Sequence, residues 1–256
     1  MNSRFTIFTL FAALTLSSCV SEHVPTPQAG KGTLVLSDVS RVQAEGTPIV
    51  TRAVDADLAV EILDEDGTPR EGMVYAAGAV VPDKLLMPVG NYQIHAYSEN
   101  QTSWRTENGG LGGPVYDVTQ SFAIEADWIT YLDVAVPMLN YGVTYSLPDN
   151  FAFWFPTAVF TVNNGTLSLS PGIGETAYFD PNANDTFTFS LHLINTDGEE
   201  YTTEAHTFEH PKAGHLYEVH YSFVSEDDPS HLRINITYED NFFAEGESMI
   251  IDLDNL

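Results

Sequence analysis

Carboxylates and histidines are the side chains in this sequence with the widest capacity for chemistry. The chain has 36 Asp and Glu residues and 8 His residues among its 256 residues. Two acidic turns, LDEDGTP at 63–69 and INTDGEE at 194–200, suggest calcium ligands by composition. A calcium loop of the EF-hand type has an oxygen ligand first and glycine sixth, but here the first position falls on Ile62 or Leu193. We therefore expect two hairpin turns there and no calcium.

The histidines are concentrated late in the chain, at His206, His210, His215 and His220. A zinc site needs three or four ligands that converge, whereas His215 and His220 differ in parity on one expected strand and would point to opposite faces. The chain also lacks the Gly-x-Ser-x-Gly nucleophile motif, and spacing marks out no pair of carboxylates. We expect no bound metal, no other cofactor, no catalytic residues and no enzyme activity.

The only cysteine, Cys19, ends the stretch LSSC at 16–19. It follows Arg4 and then an uncharged, mainly apolar run at 5–16, which as a helix would span about 18 Å, too little for a membrane core of roughly 30 Å. Residues 1–18 are therefore predicted to be a secretory signal peptide. The LSSC stretch resembles a bacterial lipobox, whose cysteine is acylated and becomes the first residue. Cys19 is predicted to carry lipid that anchors the protein in the outer membrane, at the cell surface.

The charge balance excludes one class of partner. The full chain has a net charge of −27, and loss of residues 1–18 would remove one base and no acid, giving −28. A surface this acidic repels phosphate backbones, so nucleic-acid binding is excluded. Residues 19–31, with two prolines and a glycine, are predicted to be a tether between the lipid and the folded part.

The rest of the sequence has the pattern of an all-β protein. Short runs alternate apolar and polar residues, are rich in Val, Ile, Thr, Tyr and Phe, and are separated by Gly, Pro, Asn and Asp. Irregular spacing of these runs favours packed sheets over a closed barrel. The predicted strands are 32–39, 57–64, 91–98, 116–124, 130–138, 157–162, 166–170, 185–195, 215–224, 231–238 and 248–253.

A degenerate internal repeat divides the chain into two halves. VEILDEDG at 60–67 is echoed by LHLINTDG at 191–198, and YQIH at 92–95 is echoed by YEVH at 217–220. Each Asp-Gly pair suits a tight hairpin, because glycine accepts the positive φ that the turn requires. We predict an N-terminal β-sandwich domain at 32–139 and a C-terminal one, with a terminal strand, at 140–256.

Several of these motifs together resemble one family. They are the LSSC stretch at 16–19, GTLVL at 32–36, the acidic turn at 62–67, LMPVGNY at 86–92 and GHLYEV at 214–219. Over roughly residues 32–225 the chain resembles the fimbrillin-like, type V pilus-related lipoproteins of gut and oral Gram-negative bacteria, which include a large group known only as a domain of unknown function. The resemblance implies two tandem transthyretin/Ig-like β-sandwich domains and a role as a pilus subunit or surface adhesin.

The resemblance also implies a cleavage site. In polymerising members of that family, a trypsin-like protease cuts after an arginine, the first strand is removed, and a strand from another subunit fills the groove. In this chain PIVTRAVDAD places Arg52 and Ala53 between two predicted strands, in a segment without strong strand character. The resemblance thus makes Arg52-Ala53 a possible cleavage site. The alternative is an ordinary loop arginine.

The C-terminal stretch SMIIDLDNL would suit a donor strand. Alternation would place Met249, Ile251 and Leu253 on one face, where they would fill apolar pockets of a partner subunit. The alternative is an ordinary last strand.

Aromatic side chains offer one possible ligand contact. Trp104 lies in the polar, glycine-flanked stretch NQTSWRTENGGLGG at 100–113, where a large ring either packs back on the fold or contacts a partner such as a sugar. Trp128 and Trp154 lie among apolar residues and are predicted to be in the core.

Two functions follow from these observations. The first is a lipid-anchored cell-surface protein that acts as a fimbrial subunit, an accessory component or an adhesin, with other subunits or a host protein as partners. The alternative is a surface lipoprotein that binds host or dietary glycans for nutrient capture.

Overall fold

The computed structural model describes residues 30–42, 53–225, 228–238 and 249–252. The strands of the first half are β1 (Lys31–Val42), β2 (Ala53–Val54), β3 (Ala59–Asp64), β4 (Pro69–Tyr75), β5 (Lys84–Pro88), β6 (Gly90–Tyr97), β7 (Asp117–Ile124) and β8 (Ile129–Pro137). Those of the second half are β9 (Tyr141–Ser146), β10 (Thr157–Asn163), β11 (Ser168–Leu169), β12 (Ala177–Phe179), β13 (Thr186–Ile194), β14 (Glu200–Thr202), β15 (His206–Glu209), β16 (Leu216–Ser225), β17 (Asp228–Tyr238) and β18 (Met249–Asp252). The described helical segments are α1 (Phe151–Trp154) and 3-10 turns at Trp104–Thr106 and Asn108–Gly110.

The first half of the chain forms two sheets around one core. In one sheet, β1 pairs with β2, β5 and β8, and the other has the order β4-β3-β6-β7. The buried side chains between them include Leu34 and Val39 from β1 and Ile62 and Ile94 from the opposite sheet. These residues alternate with more exposed ones along their strands, as expected for sheets with one buried face.

The second half repeats this arrangement with a more aromatic core. One sheet has the order β12-β9-β16-β17-β18, and in the other β13 pairs with β10, β14 and β15, with β11 beside β10. Their shared core includes Tyr141, Phe160, Phe179 and Phe187, all at most 1% exposed. The ring centroids of Tyr141 and Phe179 lie 5.6 Å apart, within the range at which aromatic rings attract each other.

The all-β fold predicted from the sequence is confirmed, and so are the two Asp-Gly hairpins. Gly67 turns β3 into β4 with φ +83°, and Gly198 turns β13 into β14 with φ +85°. Both values lie in the left-handed region that favours glycine. The predicted inward faces are also confirmed, since Tyr92, Ile94 and Ala96, like Tyr217, Val219 and Tyr221, are all buried.

Asn140 connects the two halves and is itself buried. Its side-chain amide donates to the carbonyl of Gly113 at 2.9 Å and accepts from the backbone N–H of Val115 at 3.1 Å. Contacts cross the junction in both directions, because Leu111 packs against the second core while Tyr178 and Leu216 pack against the first. The division into two domains at 139/140 stays a prediction.

Candidate functional site

Strand β1 lies in the middle of its sheet. Strand β8 runs parallel to it from Thr33 to Val42 and occupies one edge. The other edge of β1 is shared by two strands. Strand β5 pairs with Lys31–Val35, and β2 pairs with Asp38 and Val39. The first described strand of the chain is therefore hydrogen-bonded on both sides, and its removal would open the sheet between β5 and β8.

The inward face of β1 supplies part of the first core. Leu34 and Val39 are fully buried, and Leu36 is nearly so. A register shift against β8 between Leu36 and Asp38 leaves Ser37 as an extra, exposed residue, which is a β-bulge. Without β1, the neighbouring side chains of β5 and β8 would line an apolar groove with unpaired backbone on both sides.

The far end of β1 is held by an ion pair. The guanidinium Nε of Arg41 donates to Asp55 at 2.6 Å, and one terminal nitrogen lies 2.7 Å from Asp57. Asp55 is only 4% exposed, and its backbone N–H donates to the carbonyl of Val39 at 2.8 Å. Partial burial opposes the charged form of Arg41, but its hydrogen bond to Asp55 and the charges of Asp55 and Asp57 prevail and raise its pKa.

We expect Arg41→Ala to destabilise the protein, because Asp55 would keep a buried carboxylate without its counter-ion. The expected loss is about 2 kcal/mol in the free energy of unfolding, measured by urea titration. Arg105→Ala is the control. The ion pair of Arg105 with Asp180 is exposed, with a 3.7 Å separation, so its loss should change the free energy by less than about 1 kcal/mol. Equal effects of the two substitutions would contradict the structural role of Arg41.

The possible cleavage site lies at the boundary of the described residues. Arg52 is outside them, and Ala53 begins β2, whose two residues run parallel to β1 opposite Asp38 and Val39. The sequence placed Ala53 in a segment without strong strand character, and the structure gives it a strand of two residues. The pairing comes from β1, a contact distant in sequence that local propensity does not reveal. A cut between Arg52 and Ala53 would separate β1 from the rest of the chain.

The proposed donor strand is partly described. Met249 and Ile251 lie in β18, which pairs antiparallel with β17 at the end of its sheet, and Leu253 lies outside the described residues. Among the described residues, β18 is therefore an end strand of this sheet and pairs with β17 alone. Its use as a donor in another subunit stays a prediction.

Trp104 lies in the first 3-10 turn and is half-buried. Its ring approaches Gly112 so closely that a Cβ added there would lie 3.2 Å from two ring carbons and 3.2 Å from the Cβ of Tyr178. The guanidinium of Arg105 lies 5.1 Å from the ring centroid, and the backbone N–H of Tyr178 donates to the carbonyl of Leu111 at 2.8 Å. The Trp104 loop thus packs against the second half of the chain.

We expect Trp104→Ala to loosen this junction. The ring is half-buried, so the free energy of unfolding should fall by about 1–2 kcal/mol in a denaturant titration. The matched control is Trp128→Ala, which removes an exposed ring and should change the free energy by less than about 0.5 kcal/mol. A Trp104→Ala protein as stable as the wild type would show that the ring contributes little to packing. Glycan-array binding of the same two variants tests the predicted sugar contact.

Trp128 was predicted to be in the core, and this was wrong. Its side chain is 68% exposed, although its carbonyl accepts from the backbone N–H of Thr33 at 2.9 Å. Apolar neighbours in sequence misled the prediction, because Trp128 immediately precedes β8 at the end of the β7–β8 turn. Trp154 is partly buried against the second core.

The structure does not bring the candidate histidines together within the part of the chain that it describes. Cys19 lies outside the described residues. The late histidines have separate contacts, with His210 2.8 Å from Asp185 and His220 2.6 Å from the hydroxyl of Ser146. In the described part of the chain, no group of three or more His, Cys, Asp and Glu side chains is arranged to hold a metal. Nor does that part contain a helix of the length and hydrophobicity needed to cross a membrane.

Several solved structures align with most of the chain at low similarity. A fimbrial assembly protein from Parabacteroides distasonis is 9% identical, with a TM-score of 0.42, and the alignment covers 88% of this chain and 99% of that one. The tip fimbrial protein Mfa3 from Porphyromonas gingivalis is 7% identical, with a TM-score of 0.40 and coverage of 87% and 99%. Similarity at this level assigns no function to the present chain. No curated protein matches the sequence.

A family model matches nearly the whole described region. It is the domain of unknown function DUF4493, and it covers residues 30–254. The resemblance inferred from the sequence motifs spanned roughly 32–225 and included a group known only as a domain of unknown function, so this prediction is confirmed and extended to the last strand. The chain belongs to the DUF4493 family.

Proposed function

We propose that this chain is a lipid-anchored cell-surface protein that acts as a fimbrial subunit or adhesin, and that β1 occupies the position a strand from another subunit takes after cleavage at Arg52. Cys19 is the anchor of the uncleaved form. The predicted signal peptide and lipobox-like stretch support the anchor, and the all-β fold supplies the sheet in which exchange takes place.

One observation carries the exchange part of the proposal, namely the central position of β1. A first strand at the edge of a sheet could be lost without consequence for the other strands. A first strand between β5 and β8 leaves two unpaired edges and an apolar groove, which only another alternating strand can fill. The segment that follows β1 contains Arg52, and the described chain resumes at Ala53.

Two carboxylates weaken the hold on β1. Asp38 is paired with Asp133 across the β1–β8 contact, and one buried carboxylate oxygen of Asp38 has no hydrogen-bond partner. Like charges facing each other on neighbouring strands oppose the pairing. A strand that must leave its sheet benefits from such a weak point, because the barrier to its departure is lowered.

Antibody labelling of whole cells, viewed by electron microscopy, tests the proposed function. We expect labelled filaments or surface material on cells that make the wild-type protein. Cys19→Ala should abolish incorporation of labelled palmitate and remove the surface label, because the precursor is no longer anchored. A surface label that is unchanged in Cys19→Ala would contradict the anchor. Label confined to the cell interior in the wild type would contradict the surface role.

A further inference from the structure

The corner where the described chain begins carries an exposed apolar surface. Its side chains are Leu86, Val89, Trp128, Ile129 and Tyr131, which we call the β1 corner. Val89 is 50% exposed, Trp128 68% and Tyr131 69%, and Leu86 and Ile129 are also exposed, though less so. Single exposed apolar residues are ordinary on protein surfaces, but a group of five with two aromatic rings is a candidate interaction site.

Strand pairing shows that most of this group lies on one face. Thr33 of β1 is paired with Leu86 of β5 on one side and with Ile129 of β8 on the other. Two residues further on, Val35 is paired with Lys84 and Tyr131. Paired residues project from the same face of a sheet, and the opposite face holds the buried Leu34. Leu86, Ile129 and Tyr131 are therefore on the outer face, away from the core.

Backbone hydrogen bonds place the rest of the group at the start of β1. The backbone N–H of Val89 donates to the carbonyl of Gly30 at 3.0 Å, and that of Thr33 donates to the carbonyl of Trp128 at 2.9 Å. Gly30 is the first residue described, and Cys19 lies eleven residues before it. A fully extended chain of that length reaches at most about 40 Å, so an acylated Cys19 would keep this corner close to the bilayer.

Two of the few basic residues of the chain lie beside the corner. The protein has a net charge of −27 and only three lysines, and two of these, Lys31 and Lys84, lie on the outer face of this sheet beside the corner. The nearby acids are Asp83, Glu125 and Asp127, and further along the same face come Asp38 and Asp133. The apolar group and both lysines thus lie at the start of β1 with three acids near them, and the Asp38–Asp133 pair lies about 20 Å further along β1.

We infer that the β1 corner docks on the lipid bilayer surface in the anchored form of the protein. Trp and Tyr rings with short apolar neighbours and lysines are the composition that proteins place at the headgroup level of membranes. The lysines would lie near lipid phosphates and offset part of the charge of the nearby acids, and the carboxylates of Asp38 and Asp133 would lie further from the bilayer. The inference rests on the lipid anchor of the proposed function, and it applies before β1 is lost.

Quenching of tryptophan fluorescence by brominated lipid tests the inference. The full chain, acylated in a Gram-negative host, is reconstituted into vesicles of phosphatidylethanolamine and phosphatidylglycerol brominated in the upper part of their acyl chains. We expect these vesicles to quench the emission of the wild-type protein. Trp128→Phe should abolish the quenching, whereas Trp104→Phe should retain it, because Trp104 packs at the junction of the two halves. Quenching that persists in Trp128→Phe would overturn the inference.

Trp128→Phe removes the fluorescent ring together with part of the corner, so a second pair of variants keeps Trp128 and changes other residues. Val89→Asp places a charge in the β1 corner and should reduce the quenching of Trp128, while Val80→Asp changes a side chain that is 90% exposed outside the corner and should leave it unchanged. Vesicle flotation, measured in parallel, distinguishes failure of the lipid anchor from failure of the docking. A wild-type protein that does not float contradicts the anchor, whereas one that floats with unquenched Trp128 overturns the docking alone. Self-association that Val89→Asp abolishes would assign the corner to a second copy and also overturn it.

Discussion

Val39→Asp in β1 is expected to destabilise the first half of the protein by about 4 kcal/mol or more. Val39 is fully buried and lies in the same core as Ile62 and Ile94 of the opposite sheet. A carboxylate at this position has no cationic partner in the core. Either the carboxylate must be protonated, or β1 must leave its sheet. The measurement is hydrogen exchange followed by mass spectrometry, in which peptides of β5 and β8 should lose protection.

The same strand offers a matched control. Ser37 is exposed at the β-bulge, so Ser37→Asp adds the same carboxylate to β1 without burying it and should change the free energy of unfolding by less than about 0.5 kcal/mol. Val39→Ala should fall between the two, because it removes apolar contacts without adding charge. Equal protection of β5 and β8 in the Val39→Asp and Ser37→Asp proteins would show that β1 is dispensable to the sheet.

Cleavage after Arg52 is the second change with a large expected effect. Limited trypsin treatment should cut there before it cuts after Arg41, which lies within β1 and is held by Asp55 and Asp57. The nicked protein should keep its fold while β1 stays bound on both edges. Release of β1 in mild denaturant should then expose the apolar groove, and binding of a hydrophobic dye should rise.

Addition of a synthetic peptide tests whether the groove is specific. A peptide of residues 30–42 should restore protection of β5 and β8 in the stripped protein, because it supplies the same backbone pairs and inward side chains. The same peptide with Val39→Asp is the control and should fail. Arg52→Gln should prevent the initial cut. If both peptides restored the protection of β5 and β8, backbone pairing alone would be sufficient for binding, and the groove would not select the side chains of the incoming strand.

The sequence carried enough information to predict most long strands and their inward faces. Alternation revealed β3, β6, β13 and β16 because each has one face in a core, and the Asp-Gly pairs located two hairpins by the positive φ that they require. Several strands were missed, notably β4, β5, β9, β12, β14 and β15. Strand β4, PREGMVY, is polar and largely exposed, so it lacks the apolar periodicity on which the prediction depends.

The candidate site was harder to predict than the fold. The importance of Arg52 followed from a resemblance, but the central position of β1 depends on parallel pairing with β8, which lies far away in sequence. The partner of Arg41 was missed for the same reason, since Asp55 meets it only after β2 aligns with β1. The chain has 9 Lys and Arg residues against 36 Asp and Glu residues, and this scarcity of bases is the sequence signal that singles out an arginine such as Arg41. Trp104 and Trp128 show that local polarity does not determine which ring is exposed.

The N-terminus of the mature protein is the most direct test of the account. The protein is purified from surface filaments sheared from native cells and separately from the envelope, and the first residue of each form is identified by mass spectrometry. We expect the filament form to begin at Ala53 and the envelope form to begin at acylated Cys19. Recovery of acylated Cys19 as the only N-terminus in both fractions would contradict strand exchange at β1.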